Sequence, residues 1–76
     1  MEFHDVDRYI VSIEYAEKDG SKWRTGWSEY GLEGNTNAVE SIGWELKTQP
    51  EFVRGTIQRV LPTGGTRLVY ERTKKS

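Results

Sequence analysis

The chain has 76 residues, a formal net charge of −1, 12% aromatic residues and no cysteine. A domain of this length has a thin core, because it buries only about 60% of the surface that its unfolded chain exposes. The composition excludes a disulfide framework, a thiolate metal site and a cysteine nucleophile, and the aromatic content is not that of a disordered chain. No apolar run approaches the roughly 18 residues of a membrane span, and no signal-peptide core is visible. We therefore expect one small cytoplasmic domain over residues 1–76, with no membrane partner.

The charge is distributed unevenly along the chain. Residues 1–20 contain six acids and two bases, whereas residues 52–76 contain one acid and six bases. Neighbouring strands of opposite charge would partly neutralise each other; alternatively, the basic end meets an anionic partner.

The first predicted strand runs from Arg8 to Ala16, after a loosely ordered lead-in at residues 1–6. Its large side chains alternate with polar ones, which is the period of a strand with one buried face. These large residues are Tyr9, Val11, Ile13 and Tyr15. A second strand is predicted from Lys22 to Tyr30.

The turn between these strands allows two registers. A two-residue turn at Asp19-Gly20 would place both tryptophans of the second strand on the face opposite Tyr15. A three-residue loop with Gly20 in the left-handed conformation would instead pair Tyr15 with Trp23 and put Trp27 on the same face. Register normally follows burial, so the second arrangement is favoured and both tryptophans are predicted to be buried.

The next predicted element is a helix from Asn37 to Gln49, after a break at Gly31–Gly34. Asn37 is followed three residues later by Glu40, the spacing of a capping box, in which each side chain bonds a free backbone N–H of the first turn. Pro50 ends the helix, because the residue before a proline avoids the helical region. The apolar stripe at helical spacing consists of Val39, Ile42, Gly43 and Leu46. The glycine in this stripe predicts a close approach of the helix to the sheet.

A second hairpin is predicted from Glu51–Leu61 and Thr66–Thr73, with residues 74–76 frayed. A two-residue turn at Gly64-Gly65 would pair Leu61 with Leu68 and gather apolar residues on one face. The residues on that face would be Val53, Ile57, Leu61, Leu68 and Tyr70. The polar face would hold Arg54, Thr56, Gln58, Arg67, Glu71 and Thr73.

The predicted order is β-β-α-β-β. This is an α+β fold in which two hairpins form a four-stranded antiparallel sheet and one helix packs on one face. The uncovered face and the free edge strands favour a two-fold homodimer. Charges along the edge would instead protect a monomer.

Catalytic chemistry has little support in the sequence. His4 is the single histidine; it lies in the lead-in, and no spacing places a serine beside it as a nucleophile. His4, Asp5 and Asp7 have the residue types of a metal site, but a terminal segment rarely supplies the surrounding hydrogen bonds that orient such ligands. We therefore expect no enzymatic activity, no metal and no cofactor.

Trp44 is the main candidate for partner binding. It lies about 140° from the centre of the apolar stripe. It therefore either folds over a sheet edge or the loop at Gly31–Gly34, or anchors a protein partner, a role in which tryptophan is enriched. Its helical neighbours Glu40, Lys47 and Thr48 would form a polar rim. The predicted function is a non-catalytic protein-binding accessory module, of the inhibitor, adaptor or immunity type that phages also carry.

The alternative function is nucleic-acid binding through the basic C-terminal hairpin. Arg54 and Arg67 on the predicted polar face, together with Lys74 and Lys75, would contact phosphates. The acidic first hairpin shares the sheet and lowers the positive potential, which favours the protein-binding interpretation.

Overall fold

A computed structural model describes residues 7–74 and contains four strands and one helix. The elements are β1 (Arg8–Ala16), β2 (Lys22–Tyr30), α1 (Gly31–Thr48), β3 (Phe52–Val60) and β4 (Thr66–Thr73). The strands form one antiparallel sheet in the order β2-β1-β3-β4, and α1 packs on one face. The predicted α+β fold is therefore confirmed. The predicted lead-in at residues 1–6 and the end of the chain at residues 75–76 lie outside the described residues.

The first hairpin has the favoured register. The Glu17 N–H donates to the Ser21 carbonyl at 2.8 Å across the loop, and Gly20 has a φ of +90°. Tyr15 consequently pairs with Trp23 along an unbroken ladder. The three-residue loop is confirmed, and the two tryptophans of β2 share the face under α1 with Tyr9, Val11, Ile13 and Tyr15.

The second hairpin closes with the same kind of loop, so the predicted turn at Gly64-Gly65 is wrong. The Leu61 N–H donates to the Gly65 carbonyl at 2.8 Å, and Gly64 has a φ of +96°. Pro62 supplies the fixed φ that suits the first position of such a loop, and Gly64 supplies the left-handed one. Leu61 therefore lies opposite Gly65 instead of Leu68, and Leu68 pairs with Gln58.

The new register moves two residues of β4 to the faces opposite those predicted. Leu68 lies opposite Gln58 on the uncovered face, and Arg67 lies opposite Arg59 on the face under α1. A bulge then follows, after which Tyr70 pairs with a buried residue of β3, as its predicted face requires. The bulge thus restores the apolar alternation that the loop had displaced.

A second bulge changes which residue of β3 enters the core. The pairing with β1 shifts between Glu14 and Tyr15, so that Tyr15 lies opposite Phe52. Phe52 is 1% exposed and fills the position predicted for Val53, which is only half-buried.

The helix begins six residues earlier than predicted, so both the break at Gly31–Gly34 and the capping box at Asn37 are wrong. Tyr30 is the extended residue before the helix and makes no side-chain cap. The Gly31 N–H donates instead to the Asp7 carbonyl at 2.8 Å. A Cβ at Gly34 would lie 3.2 Å from the Cβ of Glu29, so the first turns lie close against β2, where small residues are needed.

The helix ends where the sequence predicted: Gln49 is its C-cap residue and directly precedes Pro50. Its close approach to the sheet is not at Gly43, where an added Cβ would contact nothing. The approach is at Gly55 of β3, where a Cβ would lie 2.7 Å from Cγ2 of Ile42.

The core lies between α1 and the covered face of the sheet. Its buried apolar residues are Tyr9, Val11, Ile13, Tyr15, Ala38, Ile42, Phe52 and Ile57. Trp27 packs partly buried against this cluster. The predicted burial of Trp23 is wrong: its ring stacks on Tyr15 at 4.1 Å between centroids, but it is 47% exposed, because β2 is an edge strand with one open flank.

Candidate functional site

Trp44 lies on the outer side of α1. The buried residues Gly34, Ala38 and Ile42 define the inner side of the helix. Trp44 follows Ile42 by two residues, which is about 200° around the helix. Its side chain is accordingly 64% exposed. The folded-over position considered from the sequence does not occur.

The residues predicted around Trp44 are all exposed on the same stretch of helix. Glu40, Lys47 and Thr48 lie four before, three after and four after it, positions that are neighbours on a helix surface. The Thr48 hydroxyl donates to the Trp44 carbonyl, one helical turn earlier, at 2.8 Å. We call these four residues, Glu40, Trp44, Lys47 and Thr48, the helix outer surface.

The inner side of the same turn is fastened to the sheet. The Tyr15 hydroxyl donates to Oε1 of Glu45 at 2.5 Å. Burial raises the pKa of Tyr15 to about 12, and the hydrogen bond and negative charge of Glu45 add to that effect. Tyr15 is in turn flanked by Trp23 and by Phe52, whose ring meets it edge-on at 6.4 Å. The residue next to Trp44 is therefore held, which fixes the backbone that presents the indole.

The basic residues of the alternative site are not gathered on one surface. Arg54 lies on the uncovered face and forms a salt bridge with Glu71 at 2.5 Å. Arg67 lies on the opposite face, across from Arg59, and the Lys74 ammonium donates to the Pro50 carbonyl at 2.8 Å. The placement of Arg54 and Arg67 on one polar face is thus wrong, because the loop register reverses Arg67. Lys75 lies outside the described residues.

The sequence did not reveal a shallow concavity on the uncovered face. Its volume is about 140 Å³, and its lining comprises Ser12, Glu14, Arg24, Arg54, Thr56 and Gln58. The Arg24–Glu14 pair at 3.3 Å and the Arg54–Glu71 pair neutralise its charges. Two of its lining residues, Ser12 and Thr56, are small and pair across adjacent strands.

Three residues have the side-chain types of a metal site but were not expected to form one, and two of them, His4 and Asp5, lie outside the described residues. The third, Asp7, accepts a hydrogen bond from Arg59 at 3.1 Å. Within residues 7–74, no three histidine, cysteine or acidic side chains come close enough to hold a metal ion. No helix of that segment has the length and apolar character needed to cross a membrane.

Comparisons of the chain with protein-family models, curated proteins and solved structures found no match. The fold defines a small α+β domain of two hairpins and a helix. The chemistry of its surfaces is the basis for assigning a function.

Proposed function

We propose that this protein is a non-catalytic binding module that recognises another protein through the helix outer surface. It would act as an accessory protein of the inhibitor, adaptor or immunity type, a kind that phages also encode. The observation that carries the proposal is the 64% exposure of Trp44 on a helix whose other side is fixed to the sheet.

Tryptophan in this position has the properties of an interface anchor. Its burial removes a large apolar area from water, and hot-spot residues of this type contribute about 2 kcal/mol or more to binding. The helix already holds the backbone, so little ordering is required when a partner binds. Glu40 and Lys47 supply opposite charges beside the indole, which suits a partner with an apolar pocket and a polar rim.

Nucleic-acid binding is less well supported. Phosphate binding depends on several unpaired bases acting on one backbone. Arg54 and Arg67 lie on opposite faces, and Arg54 is paired with Glu71. Less positive charge is therefore free on either surface than the sequence suggested.

Comparative capture from a nuclease-treated lysate of the source organism tests the proposal. Immobilised wild type, Trp44→Ala and Leu32→Ala would be compared, because Leu32 is 78% exposed on the same helix and serves as the matched control. Trp44→Ala should weaken the binding of the proteins that wild type and Leu32→Ala retain. The expected loss of affinity is at least tenfold, which is about 1.4 kcal/mol. Both variants should keep the free energy of unfolding within about 1 kcal/mol of wild type.

Two results would contradict the assignment. Equal loss of partners in both variants would indicate a non-specific apolar effect. Capture that occurs only from an untreated lysate, or that is lost with Arg54→Ala and Arg67→Ala but not with Trp44→Ala, would favour nucleic-acid binding instead.

A further inference from the structure

The two edges of the sheet offer different backbone patterns to a neighbour. β2 pairs with β1 over nine residues without any shift of register. The Glu17 N–H to Ser21 carbonyl bond closes this ladder, and bonded positions alternate along an antiparallel pair. The backbone groups of residues 22, 24, 26, 28 and 30 therefore point outward at regular spacing.

The β4 edge lacks this regularity. The Leu61 N–H donates to the Gly65 carbonyl, and the Lys74 N–H donates to the Val53 carbonyl. The backbone groups of Gly65 and Lys74, at the two ends of β4, therefore point inward to β3. Because a bulge intervenes, the outward positions on either side of it, residues 68 and 71, lie three positions apart instead of two. Bulges of this kind protect an edge strand from pairing.

We propose that β2 pairs antiparallel with β2 of a second copy of this chain, across a two-fold axis at Gly26. Gly26 is the middle residue of the strand Lys22–Tyr30, so this axis pairs the whole strand. The two four-stranded sheets then form one continuous sheet of eight strands. Closed two-fold pairing is the commonest symmetry of oligomers.

The charges of β2 favour the antiparallel pairing over a parallel one. Lys22 and Arg24 lie on the uncovered face, where the axis at Gly26 places them opposite Tyr30 and Ser28 of the second copy. A parallel pair in register would instead place Lys22 and Arg24 beside their own copies, and like charges directly opposite each other weaken cross-strand contacts.

The pairing also covers exposed aromatic surface at this edge. Trp23 is 47% exposed and Tyr30 is 55% exposed. With the axis at Gly26, Trp23 lies opposite Glu29 of the second copy, and Tyr30 lies opposite its Lys22. Gly26 has no side chain at the axis, which lets two backbones approach closely. A Cβ at Gly26 would also lie 2.8 Å from the Val11 carbonyl oxygen, so this position is not suitable for substitution.

Hydrogen exchange on the wild-type protein tests the edge directly. The amides of Arg24, Gly26 and Ser28 should be protected at high protein concentration and lose protection on dilution, whereas those of Glu71 and Thr73 should exchange quickly throughout. Light scattering should give twice the mass of 8.8 kDa under the protecting conditions. A mass of 8.8 kDa at every concentration, or fast exchange at all three β2 amides, would overturn the proposal.

Proline variants separate the two edges, since proline removes an outward N–H without breaking the inner ladder. Ser28→Pro should reduce the mass to 8.8 kDa, and Thr73→Pro, the matched change on β4, should leave the dimer intact. The reverse pattern would assign the interface to β4. Trp44→Ala should leave the mass unchanged; if it dissociates the dimer, the helix outer surface is the self-association surface and the β2 proposal fails. If Ser28→Pro does not fold, the exchange experiment decides.

Discussion

The two hairpins of the sheet close with the same three-residue loop, but the strands beyond the loops behave differently. In the first hairpin the loop and the apolar alternation require the same register, and β2 continues without interruption. In the second hairpin they conflict. The loop places Leu68 on the uncovered face, where it is 49% exposed, and only the bulge returns Tyr70 to the covered face.

This difference shows which requirement dominates near a turn. The loop needs a left-handed residue, and Gly64 provides it with a φ of +96°, whereas another residue there would cost about 1–2 kcal/mol. Leaving a leucine half-exposed forfeits only part of the roughly 1.5–3 kcal/mol of its full burial. The backbone requirement is local and strict. The apolar alternation is therefore displaced at residues 66–68 and is restored after the bulge.

The largest expected difference in stability is between variants of the two aromatic residues that contact Tyr15. Trp23 belongs to the first hairpin and Phe52 to the second. Phe52→Ala should lower the free energy of unfolding by about 3–5 kcal/mol, because Phe52 is 1% exposed. Trp23→Ala should lower it by about 1–2 kcal/mol, since Trp23 is only half-buried. Urea unfolding of the two variants measures both values. Equal losses would mean that the edge strand is as well covered as the core.

The loops themselves provide the next test. Gly20→Ala and Gly64→Ala should each destabilise the protein by about 1–2 kcal/mol, because both positions are left-handed. Gly65→Ala is the control: a Cβ there has its nearest neighbour, the Leu61 side chain, at 4.0 Å. It should change stability by less than about 0.5 kcal/mol. A large loss at Gly65 in thermal unfolding would restore the two-residue turn.

A smaller effect appears only at alkaline pH, where Tyr15 titrates. Tyr15 lies on β1, which pairs with a strand of each hairpin. The pKa of Tyr15 is raised from 10.0 to about 12 by burial and by Glu45. The folded state therefore favours the protonated phenol, and this contribution is complete below pH 10 and is lost as pH rises from 10 to about 12. Unfolding free energies measured across this range should fall less steeply for Tyr15→Phe than for wild type. Identical slopes would contradict the raised pKa.

The smallest expected effect concerns the helix start, where tertiary contacts also override a local signal. Asn37 lies within α1, and no side-chain bond caps the helix. Asn37→Ala should therefore stabilise the protein by about 0.5 kcal/mol through helix propensity, whereas a capping residue would destabilise it on removal. Chemical denaturation distinguishes the two signs.

The sequence alone determined the order of the elements, the register of the first hairpin, the end of the helix and the position of Trp44 off the buried stripe. These features depend on periodicity and turn chemistry within a few residues, so neighbouring positions suffice to predict them. The candidate residues around Trp44 follow from the same helical spacing.

The tertiary structure decided the helix start, the face of Arg67 and the exposure of Trp23. At the helix start, the Gly31 N–H donates to the carbonyl of Asp7, which is distant in sequence. Trp23 is half-exposed because it lies on β2, an edge strand. The strand β1 pairs with β2 on one side and with β3 on the other, which leaves β2 at the edge of the sheet. Such outcomes depend on contacts between residues far apart in the chain, and the local pattern is the same whether a strand lies at the centre or at the edge.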